Sequence, residues 1–382
     1  MSLLYMRRKR LSEGHTNSVI ALSFNPSGNY LASAGLDGRL CIWLWSSSAS
    51  RPRHVVKGTA GFISLAWIND AALVAGRTDG VMITFSISTE TICATGFNVH
   101  YYPLECITVA GNLVATGAHS QLSVWELSTG LYPFDRCDLI RQLNAPPTNG
   151  TNRHKPIVVT SIHWARGFKD CESALLVAYM DHGVMVIDTR SGLPLQTLST
   201  MPSVGFASLS QDKRWVVTSN LSTGFDIYNM GSMSCYRSIT AEDTAKTNTL
   251  RPPALFAHHG RVLVGATSAG KVGLWDWNAE KPLHDLPHHG KPSIISLADH
   301  YERSSDTFFL ATGTHGLGKA TYVQVWQTQT INNARSATRS RGQRRRSSKS
   351  SKAFSLLCPM IIGAILSVVG WMMVPSFYSK FL

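Results

Sequence analysis

The most informative segment of this 382-residue chain is Leu31-Ala-Ser-Ala-Gly-Leu-Asp37-Gly38-Arg-Leu-Cys-Ile-Trp43. Apolar side chains alternate on both sides of Asp37-Gly38, and a period of two residues is typical of a β-strand. Asp-Gly favours a tight hairpin turn because both residues tolerate positive φ. The segment therefore predicts two short antiparallel strands, the second of which ends at an aromatic residue.

The same pattern recurs six more times along the chain. The two clearest copies end at Phe85 and Trp125, and weaker copies end at Ile187, Tyr228, Trp275 and Trp326. The turns fall near residues 37, 79, 119, 181, 222, 269 and 316, about 40 to 48 residues apart except for one gap of about 62. A period near 40–45 residues with four strands per unit is the signature of a β-propeller. Seven copies predict an all-β fold with seven blades.

On these motifs, the chain from about residue 1 to 330 resembles a WD40 repeat β-propeller. The first repeat carries a set of residues that forms a buried hydrogen-bond network within a blade in this family: His15, Ser33, Asp37 and Trp43. Such a set lets each buried polar group find a partner. The other repeats depart from it, and the dipeptide that names the family occurs once, as Trp275-Asp276. The resemblance is specific for the fold and almost silent on function.

Two further features of this region bear on its organisation. Residues 2–10 are expected to supply the outer strand of the last blade, which would remove an open sheet edge; a frayed tail is the alternative. The longest gap between turns predicts one long surface loop over 131–156. Long loops on rigid scaffolds often bind partners, so this loop and the propeller faces are the candidate contacts for unidentified protein partners.

The net charge of +13 belongs entirely to the two ends of the chain. Four basic residues lie within 1–10 and nine within 335–382, and neither segment contains an acidic residue. The remaining 23 of the 36 basic residues, within 11–334, balance all 23 acidic ones. A neutral body disfavours binding of nucleic acid by the propeller.

The composition changes abruptly after Thr330. Residues 331–352 predict a basic, Ser/Arg-rich disordered linker. Residues 353–374 carry no charge, and a helix of this length spans about 30 Å, the thickness of a bilayer's hydrocarbon core. The sequence therefore predicts a single transmembrane helix followed by a short distal tail, 375–382. The architecture resembles a tail-anchored protein.

The flanks of the predicted helix indicate its orientation. Eight positive charges precede it closely and one, Lys380, follows it, so the positive-inside rule places the propeller in the cytosol. The endoplasmic reticulum or nuclear envelope is the expected membrane, with the mitochondrial outer membrane as the alternative. The linker cations predicted to contact anionic lipids are Arg341, Arg344, Arg345, Arg346, Lys349 and Lys352. Phosphorylation of Ser347 and Ser348, which follow three arginines, would cancel that attraction.

The sequence predicts no enzyme, no cofactor and no metal site. It contains no phosphate-binding loop, no nucleophile elbow and no zinc-binding helix motif. Its seven cysteines include no C-x-x-C pair. His15, Ser33 and Asp37 superficially resemble a catalytic triad, but the family pattern implies a structural network.

The function expected from the sequence is a non-enzymatic protein-interaction scaffold on a membrane surface. The alternative is a membrane-anchored exchange factor or regulator of a small GTPase in the secretory pathway, which it resembles in architecture only. A nucleic-acid-associated propeller is a third class, which the neutral body disfavours.

Overall fold

The computed structural model describes residues 4–148, 150–198, 203–232, 234–241, 252–267, 270–288 and 293–329. Within these ranges, seven four-stranded antiparallel sheets form a ring in which each innermost strand contacts those of its two neighbours. The seven-bladed all-β propeller predicted from the repeats is therefore confirmed.

The strands of the first three blades follow one another from the central axis to the outer edge. The first strand of the chain, β1 (Leu4–Leu11), is the exception, because it belongs to the last blade. Blade 1 contains β2 (Val19–Phe24), β3 (Leu31–Gly35), β4 (Arg39–Trp43) and β5 (His54–Lys57). Blade 2 contains β6 (Phe62–Asn69), β7 (Ala72–Arg77), β8 (Val81–Ile87) and β9 (Ile92–Asn98). Blade 3 contains β10 (Cys106–Ala110), β11 (Leu113–Ala118), β12 (Gln121–Ser128) and β13 (Arg136–Leu143).

The remaining blades repeat this order. Blade 4 contains β14 (Val159–Trp164), β15 (Ala174–Tyr179), β16 (Gly183–Asp188) and β17 (Pro194–Leu198). Blade 5 contains β18 (Val204–Leu209), β19 (Trp215–Asn220), β20 (Gly224–Asn229) and β21 (Ser234–Thr240). Blade 6 contains β22 (Ala254–Ala257), β23 (Val262–Ala266), β24 (Lys271–Asp276) and β25 (Lys281–Pro287). Blade 7 contains β26 (Ile294–Glu302), β27 (Thr307–Thr314), a 3₁₀ turn (Gly318–Ala320) and β28 (Val323–Gln329), with β1 outermost.

The hydrophobic core is divided among the interfaces between blades. Seven clusters of buried side chains lie one between each pair of neighbouring blades. Between blades 1 and 2, for example, Ile42 packs in the same cluster as Phe62 and Phe85. Each blade therefore buries its apolar faces only against its two neighbours, which is why such repeats are stable as a closed set.

Strand β1 closes the ring by pairing antiparallel with β28. Leu4 lies opposite Gln329 and Leu11 opposite Val323. Tyr5 fixes this strand against blade 6: its hydroxyl lies 2.7 Å from Nε2 of His258, and its backbone N–H donates to Nε2 of His284 at 3.2 Å. The described chain therefore begins and ends side by side in one blade.

The prediction of a single surface loop over 131–156 is wrong. Residues 136–143 form β13, the outer strand of blade 3, and separate a short turn before it from a longer loop after it. This strand is exposed along most of its length, because the outer strand of a blade has solvent on its far edge. It therefore lacks the apolar alternation by which the inner strands are predicted.

The predicted linker at 331–352, the predicted transmembrane helix at 353–374 and the distal tail lie outside the described residues. Among the residues that the structure describes, no helix is long and apolar enough to cross a membrane.

Candidate functional site

The loops of the propeller lie on two faces. The upper face holds the turn between the second and third strands of each blade and the loop that leads to the next blade, such as 36–38 and 12–18. The lower face holds the two other turns of each blade, such as 25–30 and 44–53. The predicted network of blade 1 lies at the upper face, and so do the exposed apolar residues that form the candidate site.

The structure brings the predicted network residues of blade 1 together. The Ser33 hydroxyl lies 2.7 Å from Nε2 of His15 and accepts the indole N–H of Trp43 at 2.8 Å. Nδ1 of His15 lies 3.2 Å from a carboxylate oxygen of Asp37, whose other oxygen accepts the Thr16 amide at 2.6 Å. Because Ser33 is completely buried, no substrate could reach its hydroxyl. The geometry is that of a structural network and not of a catalytic triad.

The hydrogen bonds around Asp37 keep its carboxylate ionised. Burial by itself would raise the pKa of Asp37, but bonds from the His15 ring and from the backbone amides of Thr16 and Arg39 outweigh this effect. The pKa of Asp37 therefore lies below its ordinary value, and the negative charge anchors the turn that follows β3.

Two further networks were not predicted from the sequence. In blade 3, Nε2 of His100 lies 2.7 Å from the Thr116 hydroxyl, which accepts the indole N–H of Trp125 at 2.8 Å. In blade 7, His288, Thr312 and Trp326 make the same contacts at 2.8 and 3.2 Å. The order His, Ser or Thr, Trp is common to all three blades. Allowing Thr at the position of Ser33 would have revealed both networks.

Four large apolar side chains are exposed on the upper face, on consecutive blades. They are Leu317 in blade 7, Leu36 in blade 1, and Tyr102 and Tyr101 in the loop between blades 2 and 3. Their exposed fractions are 72%, 40%, 45% and 94%, respectively. We refer to these four residues as the upper arc. None of them was predicted from the sequence.

Backbone contacts join the blade 7 and blade 1 parts of the upper arc. The amide of Leu36 donates to the carbonyl of Ser18 at 3.0 Å, and Leu317 forms an isolated β-bridge with the neighbouring Asn17. The Ser18 hydroxyl also lies 2.8 Å from Nδ1 of His315 and accepts the Gly316 amide at 3.2 Å. The loop before blade 1 thus fixes the two turns that carry the exposed leucines.

The other half of the upper arc continues onto blades 2 and 3. The Thr78 amide donates to the carbonyl of Gly61 at 2.9 Å, which sets the blade 2 turn beside the turn of Leu36. The Tyr102 ring stacks on the His119 ring with their centroids 4.8 Å apart. A partly exposed ion pair between Arg77 and Asp79 lies on the same face, and the arginine lowers the pKa of that carboxyl. The upper arc is therefore an apolar surface with charged neighbours.

The histidines that cluster in the sequence of the last two repeats are dispersed in the structure. His288 belongs to the blade 7 network, His258 and His284 contact Tyr5, and His315 contacts Ser18. No group of three or more His, Cys, Asp or Glu side chains that could hold a metal ion occurs in the described ranges.

The two loops that flank β13 lie on opposite faces. The lower one exposes Leu131 and Tyr132, whose amides each donate to the Asp135 carboxylate at 2.9 Å. The upper one contains Lys155, which pairs with Asp181 at 2.9 Å. The predicted lipid-contact residues 341–352 and the predicted phosphorylation sites Ser347 and Ser348 lie outside the described residues.

Comparison with known proteins adds a family match and three partial relatives. The family model described as "WD domain, G-beta repeat" matches residues 7–43. This range runs from within β1 to the end of β4, so the sequence repeat begins one strand before the structural blade. Residues 7–43 are a WD40 repeat, and the chain is a seven-bladed β-propeller that contains it.

The relatives each match part of the chain. A probable cytosolic Fe-S cluster assembly factor of Schizosaccharomyces pombe is 34% identical over 97 residues, 19% of this chain and 16% of that protein. Protein tipD of Dictyostelium discoideum is 21% identical over 289 residues, 72% of this chain and 42% of that protein. A guanine nucleotide-binding protein subunit beta of Arabidopsis thaliana is 26% identical over 142 residues, 32% and 35% of the two chains. The chain spans less than half the length of each of these relatives.

The fold and the family match indicate a general class of protein but no particular activity. WD40 propellers generally are non-enzymatic scaffolds that bind protein partners, and the same scaffold serves many different partners.

Proposed function

We propose that this chain is a non-enzymatic scaffold that binds a protein partner on its upper arc and is tethered to a membrane with the propeller in the cytosol. The observation that carries the binding surface is the exposure of four large apolar side chains on adjoining loops of one face. Soluble proteins rarely expose contiguous apolar patches except where they bind other molecules. Tyrosine, which contributes half of the upper arc, is enriched among the residues that dominate binding energy.

The loops of the upper arc are already ordered by hydrogen bonds. In the Leu317 loop, the Thr321 hydroxyl donates to the carbonyl of Gly316 at 3.1 Å and the Thr314 hydroxyl donates to that of Ala320 at 3.0 Å. A loop held in this way loses little conformational freedom when a partner binds. This preorganisation favours a binding role over that of an incidental exposed turn.

The binding proposal is tested by comparing two double variants of the full chain in proximity-labelling experiments. Leu36→Ser with Tyr101→Ser removes apolar surface from the upper arc. Leu131→Ser with Leu193→Ser removes exposed leucines from the lower face and is the matched control. We expect the first variant to reduce labelling of specific partners by about tenfold or more, since two hot-spot side chains contribute several kcal/mol.

Both variants change exposed residues, so their free energies of unfolding should remain within about 0.5 kcal/mol of the wild type. Equal partner labelling by the two variants would place binding elsewhere on the propeller.

The membrane tether is proposed from the uncharged segment 353–374 and the basic segment before it. Alkaline carbonate extraction of the full chain, compared with a chain that ends at Ser351, tests it. The full chain should remain with the membranes and the shorter chain should be released. Imaging of both then distinguishes the endoplasmic reticulum or nuclear envelope from the mitochondrial outer membrane.

The alternative function, regulation of a secretory small GTPase, predicts a catalytic effect that a scaffold lacks. Nucleotide release from such GTPases, measured with and without the full chain, separates the two. Faster nucleotide release in the presence of the chain would overturn the scaffold proposal in favour of GTPase regulation.

A further inference from the structure

The fold pairs the basic N-terminal strand with β28, the strand after which the chain continues into its basic C-terminal segment. Arg7, Arg8, Lys9 and Arg10 lie within β1, the outermost strand of blade 7. Gln329, the last described residue, lies opposite Leu4 in the same sheet. From there the chain continues into residues 331–352, which contain eight basic residues and no acidic one. Apart from Lys380, the whole excess charge of the protein therefore belongs to β1 or to the segment that follows β28 in the sequence.

Neutral partners contact the charged groups of Arg7, Lys9 and Arg10. The Arg10 guanidinium lies 3.8 Å from the centroid of the Tyr322 ring, and the Arg7 guanidinium donates to the carbonyl of Pro287 at 2.5 Å. Lys9 donates to the carbonyl of Ser47. In the part of the chain that the structure describes, no carboxylate pairs with Arg8, Lys9 or Arg10.

Neighbouring charges along β1 repel one another, as at Lys9 and Arg8. Partial burial, followed by the neighbouring Arg8, lowers the pKa of Lys9. The register of the β1–β28 pairing shifts between Arg7 and Lys9, so Arg8 is an extra residue in this strand and is exposed to solvent. An anionic surface that approached this edge would relieve the repulsion.

A basic outer strand has a simpler explanation, because lysine and arginine on an edge strand prevent edge-to-edge aggregation. Two exposed apolar residues of β1 indicate that this strand also binds a ligand. Leu4 and Met6 are nearly half exposed on this same strand, directly before the cations. Exposed apolar groups do not protect an edge, whereas apolar and basic side chains together suit the boundary between lipid headgroups and acyl chains.

We infer that the outer edge of blade 7, formed by residues 4–10 of β1, binds the anionic surface of a lipid bilayer. The cations contact lipid headgroups, Leu4 and Met6 reach the interface, and the disc stands on this edge with its upper face free to bind a partner. This inference rests on the membrane tether of the proposed function, which keeps the edge near a bilayer. Nucleic acid is disfavoured because its phosphates offer no apolar environment for Leu4 and Met6.

Site-specific photocrosslinking with the full chain in vesicles tests this inference. A benzophenone amino acid replaces Met6 in one protein and Leu139, an exposed residue of β13 in blade 3, in the control. The vesicles contain phosphatidylcholine alone or with about one third phosphatidylserine. We expect the probe at position 6 to label lipid about tenfold more in the anionic vesicles, and the probe at position 139 to label little lipid in either.

Charge reversal in the position 6 protein provides the second readout. Arg8→Glu with Arg10→Glu should reduce lipid labelling by about tenfold, as should about 0.5 M salt. Arg136→Glu with Arg141→Glu, on β13, is the matched control and should leave it unchanged. Because Arg10 stacks on Tyr322, Arg8→Glu alone is also tested, and it should retain the wild-type unfolding midpoint while losing several-fold in labelling.

The outcomes separate the inference from the tether. If the chain resists carbonate extraction but position 6 labels lipid no better than position 139, the tether stands and the lipid-binding edge is rejected. If carbonate releases the chain while its vesicle binding still depends on Arg8, the edge stands and the tether is rejected. Labelling of RNA added to the vesicles, in place of lipid, would also overturn the inference.

Discussion

At the scale of single residues, the three networks share a central hydroxyl group and differ in the group that faces the other nitrogen of the histidine ring. Ser33, Thr116 and Thr312 each bond a histidine ring and accept an indole N–H. Only blade 1 adds the turn carboxylate, since Gln121 faces His100 in blade 3 and a backbone carbonyl faces His288 in blade 7. The hydroxyl is common to the three networks, and in each it satisfies two groups, the histidine ring and the indole N–H.

The buried histidines should make the stability of the propeller dependent on pH. Burial lowers the pKa of His258 and of His288 to about 4, from an ordinary value of 6.5. Between these values an unfolded chain binds protons at both residues and the folded chain does not. The free energy of unfolding should therefore fall as the pH falls from about 6.5 to about 4, and these two residues should cause no pH dependence above that range.

The variant His288→Gln tests this explanation because it leaves a polar side chain but removes one titrating ring. Denaturant unfolding of the wild type and the variant should be measured between pH 7 and pH 4. The number of protons taken up on unfolding in this range should be lower by about one in the variant. An exposed residue, as in His154→Gln, is the matched control. Equal pH slopes for the wild type and His288→Gln would show that His288 stays protonated in the folded state.

At the scale of elements, Tyr5 should determine whether β1 stays paired. Its side chain is buried in the cluster between blades 6 and 7 and contacts the His258 ring. Replacing a buried aromatic residue by alanine typically costs about 3–5 kcal/mol, so Tyr5→Ala should lower the free energy needed to open β1 by about 3 kcal/mol. Hydrogen exchange, measured by mass spectrometry, should become faster in β1 and β28 and unchanged in β15 and β16.

The control for this prediction is Tyr132→Ala, which changes an exposed tyrosine on the lower face. It should leave both stability and exchange as in the wild type. Uniformly faster exchange in Tyr5→Ala would contradict a local role, because it would mean that closure and the remaining blades open together.

The inner strands could be predicted from the sequence, whereas the outer strands other than β1 could not. Strands such as β3 are buried on both faces and flank a tight turn, so apolar runs and Asp37-Gly38 reveal them. Outer strands such as β13 are exposed, and burial imposes no pattern on their residues. The blade 1 network could be predicted because its four residues match the pattern of the WD40 family. The upper arc could not be predicted from the sequence, because it combines Tyr101 and Leu317 from loops far apart in the chain.

At the scale of the whole molecule, ring closure couples the two ends of the propeller through non-covalent contacts alone. Every blade packs on two neighbours, and the pairing of β1 with β28 joins segments more than 300 residues apart. Forming such a contact costs chain entropy that the rest of the fold must offset. A covalent bond at the same place would remove much of that cost from the unfolded state.

A disulfide between β1 and β28 should therefore stabilise the entire propeller. Met6 and Gln327 lie directly opposite each other in the antiparallel pair, where Cβ atoms are typically about 4.5–5.5 Å apart. Oxidised Met6→Cys with Gln327→Cys would close a loop of about 320 residues, and chain entropy then predicts up to about 5 kcal/mol of added stability. Denaturant unfolding with and without reductant measures it, with Met6→Cys alone as the control and mass spectrometry to verify the bond among the seven native cysteines. Identical midpoints for the oxidised and reduced double variant would show that the ring opens elsewhere before β1 separates from β28.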